Sequence, residues 1–493
     1  MNHIKTLGEL KAIGYESRSL KEELRDNLIK KLQSGEKVFD GVIGFDDTVL
    51  PDIERAILSR HNILLLGLRG QAKTRIARLL INLLDEYMPI IAGSELNDDP
   101  MHPITSSGIQ LVEEKGDDTP IEWVHRSERY VEKLATPDVS VADLIGDVDP
   151  IKAATLKLSY SDERVLHFGL VPRSHRSIFV INELPDLQPR IQVSLFNILQ
   201  EGDIQIRGFK LRLPLDIQFV FTANPEDYTN RGSIITPLKD RIESQILTHY
   251  PKTIEIARKI TQQEANLAEA QKKAVVVPDL LQILLEQLVF EARESEYIDE
   301  KSGVSARLSI SAMENLASTA ERRMLINKEK ATNARITDFW GVVPAITGKV
   351  ELVYEGEQEG PYIVAINLVN EAVKKAFLDH FPNPDKLKKG QERDPYGTIR
   401  AYFSGGNTVD LLNDSSDKDF RKILDGVAGL RKLVESHLNL TGDDVYTYME
   451  LVLHGLAEFN VVNKEIMEAS FSFRDLLANM LDDDLFDDDG YED

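Results

Sequence analysis

Within the stretch LLLGLRGQAKTRIARLL (residues 64–80), Gly67, Lys73 and Thr74 stand at the spacing of a phosphate-binding loop, G-x-x-x-x-G-K-[ST]. Such a loop turns its own N–H groups, and the first N–H groups of the helix behind it, toward an oxyanion. In that arrangement Lys73 meets the β- and γ-phosphates of a nucleotide and the Thr74 hydroxyl binds Mg²⁺. Gly67, Leu68, Arg69, Gly70, Gln71, Ala72, Lys73, Thr74 and Arg75 are therefore the candidate nucleotide-binding run. Ala72 occupies the place of the second glycine. Its methyl is tolerated at a negative φ and costly in a left-handed conformation. Lys73 is expected to be an exposed loop cation, so that losing it costs phosphate affinity and little stability.

Four further segments carry polar residues where a nucleotide site would use them. RSIFVINELPDL sets Asn182-Glu183 directly after an apolar run. Nucleotide hydrolases place an Asp for the Mg²⁺ shell and a Glu for the attacking water at such a strand end. Asn182 keeps an oxygen for the metal but drops the charge, and Glu183 keeps the carboxylate a general base needs. IQFVFTANP ends in Asn224, which could hold the water or touch the γ-phosphate; alone, it reads as a turn former before Pro225. PLKDRI presents Arg241, either an arginine finger for a neighbouring subunit or a solvated charge. GVSARLSISA puts Arg307 at a helix start, from which it could fold back onto the phosphates.

The elements that must position these residues emerge from the apolar pattern. Ile63–Leu66, Ile178–Ile181 and Ile217–Thr222 are short runs with almost no internal polarity, as in strands of a parallel sheet covered on both faces. Helical stretches such as TRIARLLINLLDEY and PRIQVSLFNILQEG lie between them, so the order is α/β. From about 252 to 335 the pattern is helical throughout. GKVELVYEGEQEGPYIVAINLVNEAVKKAF begins with strand-like alternation and turns into a helix sharing Ile366, Val369, Val373 and Phe377 on one face. FPNPDKLKKGQERDPYG is an exposed loop and the remainder to about 480 is helical. The expected division is a helical lead-in (1–40), an α/β core (41–251), a helical lid (252–340), a mostly helical C-terminal module (341–480) and an acidic disordered tail (481–493).

Composition narrows the classes. The chain has 493 residues, no cysteine and a net charge of −24, and eight acidic groups in its last thirteen residues still leave −16 without them. Disulfides and thiolate chemistry are excluded. So acidic a chain is a poor match for nonspecific nucleic-acid binding, which depends on phosphate neutralisation. No apolar window approaches the ~18 residues of a membrane helix, and the charged start of the chain lacks a leader's apolar centre. The expectation is a cytoplasmic protein without nucleic-acid or membrane partners.

In order, the chain presents a phosphate-binding loop, an Asn-Glu strand, an Asn-tipped strand, Asp-Arg, and a helical region carrying Ser-Ala-Arg. This order resembles the AAA+ ATPases, specifically the clade of MoxR-like proteins and the ATPase (I) subunit of magnesium chelatase. GVIGFDDTVLPDIERAIL, DLIGDVDPIKA, GLVPRSHRSIFVINELPDL, LFNILQEGDIQIRG, TANPED and PLKDRI are all similar to segments of the chelatase subunit, and the likeness covers roughly 41–340. The resemblance implies an AAA+ P-loop core with a parallel sheet and a helical lid. It implies ATP and Mg²⁺ as cofactors, with Val42 and Ile43 beside the adenine. Thr74 and Asn182 would serve the metal, and Glu183, Asn224, Arg241 and Arg307 the hydrolysis. It also implies an insertion within 100–140, including Trp123, and a hairpin over EGDIQIRGFKLRLP. Asn182 and Ala72 depart from the family's Asp and Gly.

The function implied is an ATP-hydrolysing ring, hexameric, that remodels a partner protein; in MoxR-like systems the partner bears a von Willebrand factor A domain. No D-x-S-x-S pattern is present, so that partner would be a separate chain. Two alternatives stay open. One is a nucleotide-gated scaffold that scarcely hydrolyses ATP, favoured by Asn182. The other, an activator of sigma-54 RNA polymerase, needs a GAFTGA-like loop and a basic C-terminal helix-turn-helix, and neither is found.

Overall fold

A computed structural model describes residues 4–157, 165–205, 212–225, 232–387, 394–440, 442–467 and 470–474. The chain divides into two compact units, Met1–Tyr250 and Pro251–Asp493.

The first unit is built on five parallel strands: β1 (Ile63–Leu66), β2 (Tyr130–Leu134), β3 (Ser177–Asn182), β4 (Ile217–Ala223) and β5 (Ser244–Leu247). Their order across the sheet is β5-β1-β4-β3-β2. The register aligns Ile63 with Val220 and with Ser244, Phe219 with Phe179, and Val180 with Glu132. The three apolar runs expected as strands occupy the sheet's centre. Leu64, Phe179, Ile181, Phe219 and Phe221 pack on one face. Ile63, Leu65, Ile178, Val180 and Val220 pack on the other. The edge strands β2 and β5 went unread because Tyr130-Val-Glu-Lys-Leu and Ser244-Gln-Ile-Leu are half polar, as edge strands are.

Three helices cover the second face: α1 (Leu20–Ser34), α2 (Val49–Leu58) and α3 (Lys73–Leu79). A capping box between Ser19 and Glu22 starts α1, and Gly35 ends it at φ 75°. Leu20, Leu24 and Leu28, four apart, put one stripe of α1 into the sheet's own core. Glu23, on the same helix, is buried and takes a two-pronged grip from Arg129 at 2.6 and 2.8 Å. Arg129 also donates to the Arg176 carbonyl at 3.0 Å. This pair fixes the approach to β2, which begins at the next residue.

Smaller antiparallel pairs join Tyr87–Ile91 to Ile121–His125 and Gly146–Val148 to Leu166–Phe168. The indole N–H of Trp123, in the first pair, donates to the Ile4 carbonyl at 3.0 Å. Asp203–Gln205 pairs with Arg212–Pro214, so the expected hairpin has both its arms; its tip, 206–211, lies outside the described residues.

The second unit centres on α4 (Asp279–Glu294), α5 (Arg307–Ile326), α6 (Pro361–His380) and α7 (Asp444–Glu458). One apolar core runs from Val275 to Phe473 and joins all four helices. Inside it, Arg323 of α5 donates to Asp338 at 3.0 Å and to Asp417 at 2.8 Å. Three details differ from the sequence reading. Val275–Val276 pairs with Thr332–Asn333, a two-residue ladder too short for periodicity to reveal. The alternation at 349–353 makes one bridge, Ile298 to Leu352, because a helix, Tyr354–Glu359, begins at the next residue. Strands Val409–Leu412, Asn463–Met467 and Ser470–Arg474 form an antiparallel sheet where only helix was expected. The acidic tail and residues 388–393 of the expected loop lie outside the described residues.

Replacing Glu23 by Ala leaves the Arg129 guanidinium, 1% exposed, without its carboxylate. Breaking a buried pair in this way costs about 3–5 kcal/mol. Denaturant unfolding of Glu23→Ala against the parent should show that loss; a change under about 1 kcal/mol would mean the grip is not structural.

Candidate functional site

The candidate polar side chains meet at the C-terminal ends of the sheet's central strands. The loop Gly67–Ala72 leaves β1 and delivers the chain to α3. Its seat is made by the residues just after β5. Thr248 donates its N–H to the Leu66 carbonyl at 2.8 Å and its hydroxyl to Gln71 Oε1 at 2.7 Å. Tyr250 donates its hydroxyl to the Arg69 carbonyl at 3.0 Å. A methyl on Gly67 would overlap the Thr248 hydroxyl and the Gln71 amide, so any larger residue here displaces both side chains. Gly70 takes φ 75°, as a glycine can. Ala72 takes φ 56°, the costly one of its two alternatives.

Lys73 is not the exposed cation expected from its place in a loop. It is 7% exposed, because the loop has folded around its ammonium. Nζ donates to the Gly67 carbonyl, to the Leu68 carbonyl at 2.9 Å and to Asn224 Oδ1 at 2.6 Å. Asn224, buried at the tip of β4, donates through Nδ2 to Glu183 Oε2 at 2.9 Å. One continuous chain of contacts thus joins the ends of β1, β4 and β3. Glu183 sits at φ 55°, a left-handed residue that turns its carboxylate out of the strand direction. Its N–H donates to the Thr222 hydroxyl at 3.1 Å, and that hydroxyl donates to Asn182 Oδ1 at 3.1 Å.

Asn182 leads to a residue the sequence did not single out. Its Nδ2 donates to Glu132 Oε1 at 2.6 Å. Glu132, on β2, also accepts from Arg78 of α3 at 2.9 and 3.2 Å and from the Tyr130 hydroxyl at 3.2 Å. Burial, then the Glu132 charge beside it, pushes the Tyr130 phenol pKa up, so the hydroxyl remains a donor. Nothing in the motif spacing points to Glu132, since β2 is an edge strand inside the segment read as an insertion. Thr222 and Thr248 also went without a role in the motif reading, because what they do is hold other site residues through tertiary hydrogen bonds.

The remaining candidates lie around this chain of contacts or apart from it. Thr74 and Arg75 are half-buried on the first turn of α3. Val42 packs in the core with Phe39 and Phe45, and Ile43 is half-buried. His249 ties this segment to the loop's seat, edge-on to Phe45 at 4.9 Å and 2.8 Å from the Thr48 hydroxyl. Arg241 stands outside the Lys73–Asn224–Glu183 chain. It bonds Gln200 Oε1 at 2.8 Å and the Pro237 carbonyl at 2.6 Å, and lies 4.9 Å over the Phe196 ring. Arg307 is exposed at the start of α5, in the second unit. Among the described residues no group of three or more His, Cys, Asp or Glu could hold a metal by protein ligands alone.

No family model matches the chain. Among solved structures it is similar to NtrX from Brucella abortus, 14% identical over 59% of this chain and 54% of that one, with a TM-score of 0.34. It therefore spans about half the length of NtrX. RuvB from Thermotoga maritima is 11% identical over 70% and 81% of the two chains, TM-score 0.34. The complex of BchI and BchD of magnesium chelatase gives 18% identity over 65% and 98%, TM-score 0.33. Likeness at this level assigns no role to any residue, and the site rests on its own geometry. The architecture is the one the AAA+ resemblance implies: a parallel α/β core with the phosphate-type loop at a strand tip, then a mostly helical region.

The left-handed Ala72 offers a direct test of the loop. Ala72→Gly removes the clash of Cβ in that conformation and should raise the unfolding free energy by about 1 kcal/mol, against the usual cost of introducing glycine. Urea unfolding measures it; a loss of stability would show that the loop does not hold this conformation in solution.

Proposed function

We propose that the chain is a Mg²⁺-dependent AAA+ ATPase of the MoxR-like and magnesium-chelatase type that binds and hydrolyses ATP. The single observation supporting this reading is the continuous contact chain from Lys73 through Asn224 to Glu183. It sets a phosphate-binding cation, a polar amide and a carboxylate side by side at three strand tips. The carbonyls of Gly67 and Leu68 now surround the ammonium. Triphosphate oxygens would take over part of that role, releasing Asn224 to hold a water against Glu183, which accepts its proton.

The residues present fit a magnesium ion. Thr74 and Asn182 offer a hydroxyl and an amide oxygen, hard donors that complement phosphate oxygens and water, while no all-protein cage is needed. Bound there, Mg²⁺ would neutralise charge on the β- and γ-phosphates. Val42 and Ile43 would line the base. We propose Arg241 as the arginine finger for a neighbouring subunit and Arg307 as a further cation serving hydrolysis, within a homohexameric ring. Its substrate would be a partner protein, with a separate von Willebrand factor A chain as the companion. The acidic surface is consistent with a cytoplasmic protein that binds no nucleic acid. No helix among the described residues is long and apolar enough to cross a membrane.

A second reading, a nucleotide-gated scaffold with little hydrolysis, is favoured by one observation: Asn182 brings no charge to the metal and already bonds Glu132 and Thr222. Single-turnover hydrolysis of radiolabelled ATP separates the two, since the scaffold binds without releasing phosphate.

Lys73→Ala should abolish ATP binding by calorimetry, and equal affinity in variant and parent would end the assignment. Because Lys73 is buried among oxygen atoms, the variant should also lose stability, about 1–3 kcal/mol from acceptors left without their donor. The ring is tested by mixing. Arg241→Ala and Glu183→Gln should each bind ATP, the first hydrolysing it ~10³-fold or more slowly than the parent and the second ~10²-fold or more slowly. Mixed rings would contain interfaces with both residues intact, and activity should partly return. Mixed rings confirmed by mass spectrometry and inactive at every ratio would make Arg241 a structural charge held by Gln200.

A further inference from the structure

The carboxylate that Asn182 lacks stands one strand away, in hydrogen-bond contact with the Asn182 amide. Glu132 is acceptor-only when ionised, so the group 2.6 Å from its Oε1 must be the Asn182 NH₂. The opposite orientation would press an amide oxygen against a carboxylate oxygen. With Nδ2 fixed toward β2, Oδ1 faces the other way, where it accepts from Thr222 and keeps a second lone pair. Arg78, which grips both Glu132 oxygens, Oε2 at 2.9 Å and Oε1 at 3.2 Å, belongs to α3. Thr74 is four residues before Arg78 on that helix and so shares its face, one turn nearer the loop.

We propose that Glu132 is the positioning residue of this site: it locks the Asn182 amide so that its oxygen, and not its NH₂, is turned away from β2 and offered to a metal ion, and it supplies from β2 the negative charge missing at the tip of β3. The inference rests on the nucleotide reading above and deepens it. A consequence is that Asn182 and Glu132 are coupled. Asn182→Asp alone does not simply restore an acidic strand end; it sets two carboxylates in hydrogen-bond contact. Asn182→Asp with Glu132→Gln exchanges charge and amide and keeps the contact, the new amide on β2 donating to the new carboxylate on β3.

The test uses the full chain in five forms: parent, Glu132→Gln, Asn182→Asp, the double variant and Arg78→Ala. ATP affinity is measured by calorimetry with Mg²⁺ and with EDTA, and the thermal midpoint without nucleotide. Glu132→Gln should cut the Mg²⁺ enhancement of ATP affinity about tenfold or more, with affinity in EDTA changed less than about twofold. Asn182→Asp should lower the nucleotide-free midpoint, and the double variant should recover both midpoint and Mg²⁺ enhancement. Arg78→Ala, which leaves the Asn182–Glu132 contact in place, should keep the enhancement within about twofold of the parent. An unchanged enhancement in Glu132→Gln, or losses in the double variant equal to the sum of the singles, would overturn the proposal. So would Arg78→Ala matching Glu132→Gln, since Glu132 would then act only by holding α3. Failure of the parent itself to bind ATP would instead overturn the nucleotide reading on which this one stands.

Discussion

Burial of the central sheet on both faces is the constraint on which the site depends. With Phe179, Ile181, Phe219 and Phe221 on one side and Ile63, Leu65, Ile178 and Val180 on the other, β1, β3 and β4 have no room for an unpaired polar group. Polar chemistry is driven to where the strands stop. Because the strands are parallel, three of them stop together, and Lys73, Asn224, Glu183 and Asn182 converge although more than a hundred residues separate the first from the others. This is the position at which open α/β sheets place their ligands.

Two lines of contacts hold the charged side chains of this site. Lys73 donates to two carbonyls and an amide, and Asn224 links it to the Glu183 carboxylate. Arg78, Glu132 and Asn182 form a second line from α3 across β2 to β3. The two lines converge at the end of β3, where Thr222 bonds both Asn182 Oδ1 and the Glu183 N–H. A neutral, correctly turned hydroxyl therefore spaces the two candidate roles, metal side and water side, apart from one another.

Much of this was legible in the sequence, for an identifiable reason. A strand covered on both faces writes itself as an uninterrupted apolar run, so Ile63–Leu66, Ile178–Ile181 and Ile217–Thr222 could be read within a residue of their ends. The residues directly after such runs are then candidates by position alone, as Asn182, Glu183 and Asn224 were. The edge strands carry no such signature, and Glu132 went unseen with β2. The burial of Lys73 was misjudged because a loop's sequence shows its own polarity but not that its carbonyls will turn inward. In the second unit, strands as short as Thr332–Asn333, or completed only by distant segments such as Val409–Leu412 and Ser470–Arg474, depend on tertiary pairing that no local window contains.

The shared core of the second unit bears on how a signal could cross it. Arg323, near the end of the helix that Arg307 begins, is clamped to Asp417, and the apolar cluster around it extends to Phe473. Residues 252–340 are thus not a cassette that could be exchanged or removed independently of residues 341–474. Sharing one core, the two stretches are expected to melt as one cooperative piece. Free energy gained by any ligand on the surface near Asp417 is therefore free energy added to the helix bearing Arg307, at whatever distance the two lie.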